Sequence, residues 1–488
     1  MTAFAQSPAR PRAEPRSPAS ASRAELLPWL AVMVFGLQGL RTQTDPDLWW
    51  HLRTGQWIVL HHRIPTVDHW SFASTKPWVA HEWLAQVFLY MAYRSGGYHG
   101  VLLLRAAMLA AIAFVVVREC RRRGNWLHAT IAALFGLATV EPGAAARPQL
   151  ASFLLMALFG PVLMRAVVRR RAPVSLIPLI WLWANLHGLW TFALVVYLAV
   201  VVGLAIHLRG RERRTLTGFL GVGVGMVVAV GLTPNGPKLL LSPLAVHGVT
   251  KFVTEWQAPH ITSLPTIAGL VLLAVVVIGW ARNVRQVPAY ELAYVFVAAG
   301  LTLAYVRTGP LAGVLLAPIA AGALARLFHE PVTALRFARG SRRAAVLAGV
   351  VTLALGALIL DRLPAIAAPA PLAASRVIDD LPGRQRVLTE PELGNWMLWT
   401  ARDSSPAFDG RYEIFGPSYI GRYIDMLNMR GNWRGFVTAS RAGAAWLHVD
   451  IPLVAGLREQ LHWTVAWTDG KTVILVRPPA GPVTPTRR

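Results

Sequence analysis

The chain has 488 residues, of which 55% are hydrophobic and only 15% charged, a composition that excludes an ordinary soluble protein. A formal net charge of +24 would suggest nucleic acid on a soluble chain. Here the arginines cluster between apolar segments, where membrane orientation and anionic lipid explain them, so we expect no nucleic-acid partner. With Cys120 as the only cysteine, the chain can form neither an intrachain disulfide nor a thiolate metal cluster.

The apolar segments predict an all-α polytopic membrane bundle of about eleven transmembrane helices. Residues 1–24, rich in Pro, Ala, Ser and Arg, predict a disordered cytoplasmic tail. The transmembrane domain then covers 25–361. Its spans are predicted near 25–41, 99–117, 127–140, 150–167, 174–184, 187–208, 216–232, 265–281, 289–305, 311–327 and 345–361.

The stretch 174–208 is too long for one span, and we divide it at Trp183-Ala-Asn-Leu-His-Gly188. With this division the arginine-rich connections and the basic N-terminal tail all fall on one side. These connections are 118–123, 165–171, 209–214, 282–285 and 326–343. The positive-inside rule makes that side cytoplasmic. We therefore expect a multi-pass protein of the bacterial inner membrane, with its N-terminus inside and its C-terminus outside.

The first outer loop, 42–98, opens with Asp45-Pro-Asp-Leu-Trp-Trp-His51. Asp47 and His51 are four residues apart, so a helical turn would place them on one face. Pro46 favours a turn, and such a turn would bring Asp45 and Asp47 together. Acids at the edge of a bilayer are costly, which favours a functional role. We predict that Asp45 and Asp47 are catalytic. Whether they also hold a divalent cation (Mg or Mn), together with His51, stays open.

The rest of this loop supplies further candidates for substrate binding. His81-Glu82 precedes an amphipathic stretch that ends near Tyr93 and is expected to lie along the membrane surface. His51, His81 and Glu82 are assigned to substrate binding. Asp68 reads as a turn or cap residue, and the tryptophans read as an interfacial belt.

More candidate substrate-binding residues fall at the predicted outer ends of spans or in the turns and loops between them: Arg147, Gln149, His187, Arg307 and, in the large outer loop 233–264, Glu255. An arginine can hold a phosphate through its planar fork, whereas the alternative for Arg147 is a side chain that merely reaches the membrane interface. Arg307 lies in a short outer turn, against the usual charge bias. We expect both arginines to bind phosphate.

The C-terminal part changes character. Residues 362–385 are predicted to be a linker, 386–480 a small extracytoplasmic α/β domain, and 481–488 a disordered tail. The Asp409-Gly-Arg411-Tyr412 run is its most unusual polar feature, and it predicts either a substrate contact or a tight turn.

The DPDLWWH…G…IP…D…HEWL pattern of the first loop resembles the GT-C superfamily of membrane glycosyltransferases, and in particular bacterial members with a DPDLWWH-type loop. The short spans, the large first loop and the outer C-terminal domain fit the same resemblance. It implies a polyprenyl-phosphate-linked sugar donor, and a base or metal-ligand role that maps onto Asp45 or Asp47.

The resemblance makes an inverting, lipid-linked-sugar glycosyltransferase the leading hypothesis, with the acceptor undefined. A transporter or flippase of a lipid-linked or anionic solute is an alternative, although such proteins usually carry polar residues midway along their spans. A non-catalytic envelope assembly protein is the other alternative, and it would tolerate loss of the first-loop acids.

Overall fold

The computed structural model describes residues 27–42, 45–74, 77–282, 287–328, 368–401 and 403–478, with short pieces between 349 and 362. The predicted terminal tails lie outside the described residues, as does most of the predicted eleventh span. The helices before residue 330 are α1 (Leu27–Gln38), α2 (Asp47–His61), α3 (Trp83–Arg121), α4 (Trp126–Ala138), α5 (Gln149–Arg169), α6 (Leu176–Leu186), α7 (Trp190–Leu208), α8 (Arg213–Gly231), α9 (Ser242–His247), α10 (Leu264–Ala281), α11 (Ala289–Ala304) and α12 (Gly309–Leu327).

The other ten predicted spans each coincide with one of these helices. Among the described residues, six helices are long and apolar enough to cross a membrane, and four shorter apolar helices are α1, α4, α6 and α11. The chain is thus a multi-pass membrane protein, while the number of spans stays a prediction. The division of 174–208 is confirmed, because α6 ends at Leu186 and α7 begins at Trp190.

The predicted boundary between the amphipathic stretch near 83–93 and the span 99–117 is confirmed. The range of α3 holds two helices that meet at a kink, where Gly96 and Gly97 have non-helical backbone angles. Gly97 has φ +57°, a conformation that glycine adopts at little cost, so the chain changes direction here before the span begins.

The described parts of the basic connections lie at one end of the helical bundle. Glu119 accepts hydrogen bonds from Arg122 at 2.9 Å and from Arg165 at 2.7 Å, which ties the end of α3 to the end of α5. Arg282 donates to the carbonyl of Leu327 at 2.8 Å, which ties α10 to α12. The polar residues predicted to face outward, among them Asp47, Arg147 and Arg307, gather at the other end.

The C-terminal part folds around a five-stranded sheet. Its elements are α13 (Leu372–Asp379), β1 (Arg386–Thr389), α14 (Pro391–Thr400), β2 (Ser405–Pro406), α15 (Pro417–Leu427), α16 (Trp433–Ser440), β3 (Ala444–His448), α17 (Pro452–Ala455), β4 (Thr464–Thr468) and β5 (Thr472–Val476). The strand order is β2-β1-β3-β5-β4, where β1 pairs in parallel with β2 and β3, and β5 pairs antiparallel with β3 and β4.

The segment 362–385 is not simply a linker. It contains helix α13, whose Ala374 and Ile378 are fully buried in the core that also includes Val387 of β1 and Trp446 of β3. The apolar residues of this short helix bury against the sheet, which is why it is ordered.

The C-terminal domain packs directly on the first loop. Trp49 of α2 meets Trp396 of α14 edge to face, with ring centroids 4.5 Å apart. Trp50, Trp70 and Trp78 are also buried, in one cluster with residues of the C-terminal domain. These four tryptophans are therefore packing residues between two parts of the chain, and the prediction that they form an interfacial belt is wrong for them.

Candidate functional site

The site is built around the Asp45-Pro-Asp47 turn that begins helix α2. The backbone N–H of Asp47 donates to Asp45 Oδ1 at 3.1 Å, so the first acid caps the turn that presents the second. Pro46 immediately precedes the helix with φ −65°, a conformation that leads into it without strain. Both carboxylates consequently point to the same region, as the spacing predicted.

Arg147 gathers the acids of this region. Its Nε donates to Asp45 Oδ2 at 2.7 Å and its Nη2 to Asp45 Oδ1 at 2.8 Å, a two-pronged contact. Its Nη1 lies 3.0 Å from Asp47 Oδ2 and donates to Glu255 Oε1 at 2.8 Å. Arg147 therefore does more than extend toward the membrane interface, because it contacts three carboxylates.

Glu255 joins Arg147 to a second arginine. Its Oε2 accepts from Arg307 Nη1 at 2.9 Å, so the two oxygens of one carboxylate lie on two guanidinium groups. Arg307 also lies over the ring of Trp256, 5.5 Å from the ring centroid. The three carboxylates Asp45, Asp47 and Glu255 thus face two guanidinium groups, and the group has a surplus of negative charge when all are ionised.

His187, in the turn between α6 and α7, continues the chain of contacts. Arg307 Nη2 lies 3.1 Å from His187 Nε2, and His187 Nδ1 lies 2.8 Å from Ser152 Oγ. Since arginine can only donate, the Arg307 contact requires Nε2 to accept, whereas Nδ1 faces both Ser152 Oγ and the N–H of Leu189, which lies 3.4 Å away. Burial lowers the pKa of His187 to about 3, although Glu82 opposes the shift. His187 is therefore a neutral group that orients Arg307.

Glu82 lies among three histidines: His187 Nε2 at 3.3 Å, His81 Nε2 at 3.5 Å and His51 Nδ1 at 3.8 Å. Burial lowers the pKa of His51 to about 4. Burial would also lower the pKa of His81, but the hydrogen bond and charge of Glu82 outweigh it and raise that pKa. The same contact holds the pKa of Glu82 low in spite of burial. The charged pair is His81 with Glu82, and His51 is neutral.

The two first-loop acids differ in their surroundings. The side chain of Asp45 is 6% exposed and is held by the fork of Arg147, whereas that of Asp47 is 26% exposed. Although part of Asp47 remains accessible, burial raises its pKa to about 6, with Asp45 and Glu255 adding to the shift and Arg147 opposing it. Asp47 is the carboxylate that can exchange a proton near neutral pH.

Two side chains that the sequence did not single out complete the arrangement. Arg105 of α3 donates to the carbonyls of Ala144 and Arg41, at 2.5 and 2.8 Å, and so fixes the segments that carry Arg147 and Asp45. Asn395 of α14 donates to Asp47 Oδ1 at 3.0 Å. Arg105 could have been identified from the sequence, because an arginine inside an apolar segment is unusual. For Asn395 the sequence gives no such indication.

Most of the predicted site residues are therefore brought together: Asp45, Asp47, His51, His81, Glu82, Arg147, His187, Glu255 and Arg307. Gln149 is the exception, because its buried amide donates to the carbonyl of Gly143 at 3.1 Å, a contact within the protein. Its role in substrate binding, like that of the others, stays a prediction.

The suggested cation site of Asp45, Asp47 and His51 does not fit the described geometry. The two aspartates are bonded to Arg147 and His51 lies beside Glu82. Within the described part of the chain, no group of three His, Cys, Asp or Glu side chains is arranged to hold a metal ion. A bound metal ion stays a prediction.

No protein-family model matches the chain, and no curated protein matches it. Among solved structures it is similar to ArnT from Cupriavidus metallidurans in the apo state, with a TM-score of 0.51 and 16% identity, over 95% of this chain and 100% of that chain. The structure of the same protein bound to undecaprenyl phosphate gives a TM-score of 0.49 and 16% identity, over 95% and 99%. At this identity the likeness to the apo structure shows a shared fold, which agrees with the membrane bundle and C-terminal domain expected from the sequence.

Proposed function

We propose that this protein is a glycosyltransferase that transfers a sugar from a polyprenyl-phosphate-linked donor to an acceptor hydroxyl on the extracytoplasmic face of the membrane. The observation that carries the proposal is the carboxylate of Asp47. It is partly accessible, its pKa is raised to about 6, and it lies 3.0 Å from Arg147 in a group that also holds Arg307. The shared fold with a GT-C glycosyltransferase supports the same reaction class.

In the proposed reaction Asp47 accepts the proton of the acceptor hydroxyl. The hydroxyl oxygen forms a bond to the anomeric carbon of the sugar, and the bond from that carbon to the phosphate oxygen breaks. The electron pair leaves with the polyprenyl phosphate. A single displacement of this kind inverts the configuration at the anomeric carbon.

The leaving phosphate needs positive partners, and Glu255 marks where they are. Its two oxygens bond to Arg147 at 2.8 Å and to Arg307 at 2.9 Å. A phosphate has the oxygens to bond to the same two guanidinium groups, and in the proposed cycle it replaces Glu255 there. Arg147 and Arg307 then stabilise the charge that develops on the phosphate.

The test uses purified protein in lipid vesicles with a panel of polyprenyl-phosphate-linked sugars, and follows release of polyprenyl phosphate by mass spectrometry. Asp47→Asn is expected to reduce turnover about 10²–10⁴-fold, the usual contribution of a general base. Asp45→Asn should be strongly impaired, because it weakens the fork that holds Arg147.

Asp450→Asn is the matched control, since Asp450 is exposed in the C-terminal domain and is expected to leave turnover unchanged. Full complementation by both Asp45→Asn and Asp47→Asn, in a strain lacking this protein, would contradict the catalytic assignment.

A further inference from the structure

The C-terminal domain supplies a side chain to the first-loop acids. Asn395 of α14 is 1% exposed, and its Nδ2 donates to Asp47 Oδ1 at 3.0 Å. Its Oδ1 accepts from the backbone N–H of Gly410 at 2.7 Å. Because that N–H can only donate, the oxygen of the amide must face Gly410, and the NH₂ group must face Asp47. We infer that Asn395 is a positioning residue for Asp47, so that the C-terminal domain completes the catalytic centre.

The loop beside Asn395 leaves no room for a different arrangement. A Cβ on Gly410 would lie 2.6 Å from Asp47 Oδ1 and 2.8 Å from Asn395 Nδ2. Gly410 therefore has to be glycine for Asp47 and Asn395 to approach one another. A side chain at this position would displace one of them.

Two independent contacts place this part of the domain. Trp396, next to Asn395, packs against Trp49, two residues beyond Asp47 in α2. Arg411, next to Gly410, donates to Asp68 Oδ1 of the first loop at 2.7 Å. Asn395 and Gly410 are thus each held beside Asp47 by a neighbour in sequence that packs on the loop.

The effect on Asp47 follows from the two donors that its oxygens meet. Oδ1 accepts from Asn395 at 3.0 Å and Oδ2 lies 3.0 Å from Arg147. Together they fix the plane of the carboxylate. A neutral amide orients the group and stabilises its ionised form, but it adds no charge that would suppress its basicity as a second arginine would. The charged or titratable groups facing Asp47 are Asp45, Arg147, Glu255, Arg307 and, from the C-terminal domain, Tyr412.

This inference rests on the proposed function, and Asn395→Asp is its sharpest test. Aspartate has the same shape and keeps the oxygen that accepts from Gly410, but it loses the donor and adds a carboxylate beside Asp47. We expect kcat to fall roughly 10- to 100-fold, as for the loss of partners that orient functional groups, with little change in KM. The acid limb of the pH profile should move to higher pH, since a like charge favours the protonated form of Asp47.

Asn395→Ala should move the acid limb in the same direction, because the hydrogen bond to the ionised carboxylate is lost. The matched control is Asn432→Asp, in the same domain, where the retained side-chain oxygen still accepts from Gly435. Asn432→Asp should leave kcat and the pH profile unchanged.

A measurement that needs no turnover accompanies these assays. The titration of the Asp47 carboxyl is followed by infrared absorption and identified by its loss in Asp47→Asn. It should also move to higher pH in both Asn395 variants. Unchanged kcat and unchanged titration in both variants would overturn the inference, as would a loss of kcat with lowered thermal stability but an unmoved titration. If wild type itself transfers no sugar, the proposed function fails, and the infrared titration still decides whether Asn395 acts on Asp47.

Discussion

At the scale of single residues, Asp45 and Asp47 show how two acids in one turn acquire different tasks. The fork of Arg147 occupies both oxygens of Asp45. Asp47 has a pKa raised to about 6 and keeps part of its side chain accessible. In the proposed reaction Asp45 is therefore the anchor for Arg147, and Asp47 is the base.

This difference predicts the pH dependence of turnover. A base must be ionised, so kcat/KM should fall about tenfold per pH unit below pH 6, where Asp47 becomes protonated. Glu255→Gln removes a carboxylate that raises the pKa of Asp47, and should move this acid limb to lower pH. Initial rates between pH 4.5 and 8 measure both effects, with thermal stability recorded at each pH as the control. A flat wild-type profile over that range would contradict a base with this pKa.

The proposed phosphate contacts of Arg147 and Arg307 predict that loss of either side chain weakens binding of the proposed lipid carrier. Charge-assisted hydrogen bonds are worth about 1.5–3 kcal/mol each, so Arg147→Ala or Arg307→Ala should weaken binding of a lipid-phosphate analogue roughly tenfold to a hundredfold. Lysine at either position should restore affinity only in part, because it lacks the planar fork. Binding is measured with purified protein, and Arg422→Ala, an exposed arginine of α15, is the control. Equal affinity for wild type and both alanine variants would mean that the phosphate binds elsewhere.

At the scale of elements, the contact between the first loop and the C-terminal domain is fixed by a buried ionic group. Arg411 is fully buried and donates to Asp409 Oδ2 and to Asp68 Oδ1, both at 2.7 Å. Its guanidinium also lies 5.0 Å from the ring centroids of both Trp70 and Trp78. Asp68 also caps its turn, because its carboxylate accepts hydrogen bonds from the backbone N–H groups of Trp70 and Ser71. The same acid also holds the two parts of the chain together.

Removing Arg411 should therefore be costly. Arg411→Met leaves Asp68 and Asp409 buried without their cation, and breaking a buried pair in this way costs about 3–5 kcal/mol. Thermal unfolding of the full-length protein in detergent measures the loss. Arg422→Met, which changes an exposed arginine in the same domain, should leave the unfolding temperature nearly unchanged. The Arg411 contacts are not structural if both variants unfold at the wild-type temperature.

Features that depend on local sequence could be predicted, whereas features that depend on contacts between distant residues could not. Apolar length is a local property, and it located ten of the helices and the division between α6 and α7. Asp45, Arg147 and Arg307 could be predicted because acids and arginines beside apolar segments are unusual, and Glu255 because it lies in a large outer loop. The bond from Asn395 to Asp47 joins residues 348 positions apart, and a single asparagine in a helix gives no sign of it. The Asp409-Gly-Arg411 run is unusual in the sequence, but only the tertiary structure shows that Arg411 pairs with Asp68.

At the scale of the whole molecule, charge is divided between the two ends of the helical bundle. Among the described residues, one end holds arginines of these connections, as the contacts of Glu119 with Arg122 and Arg165 and of Arg282 with Leu327 show. The other end holds the cluster around Asp47, with the C-terminal domain packed over it. A chain arranged in this way has one end suited to the anionic cytoplasmic leaflet and one end suited to chemistry on a lipid-linked substrate.

This division predicts the orientation in the cell. The positive-inside rule places the arginine-rich end in the cytoplasm, which puts the N-terminus inside and the C-terminal domain outside. Alkaline phosphatase, which is active only outside, should be active when fused after Arg488 and inactive when fused after Arg123 in a chain ending there. Green fluorescent protein at the same two positions should give the opposite pattern and serves as the control for expression. A C-terminal fusion that reads as cytoplasmic would reverse the topology, and it would place the Asp47 cluster on the side of the membrane where the proposed donor is not presented.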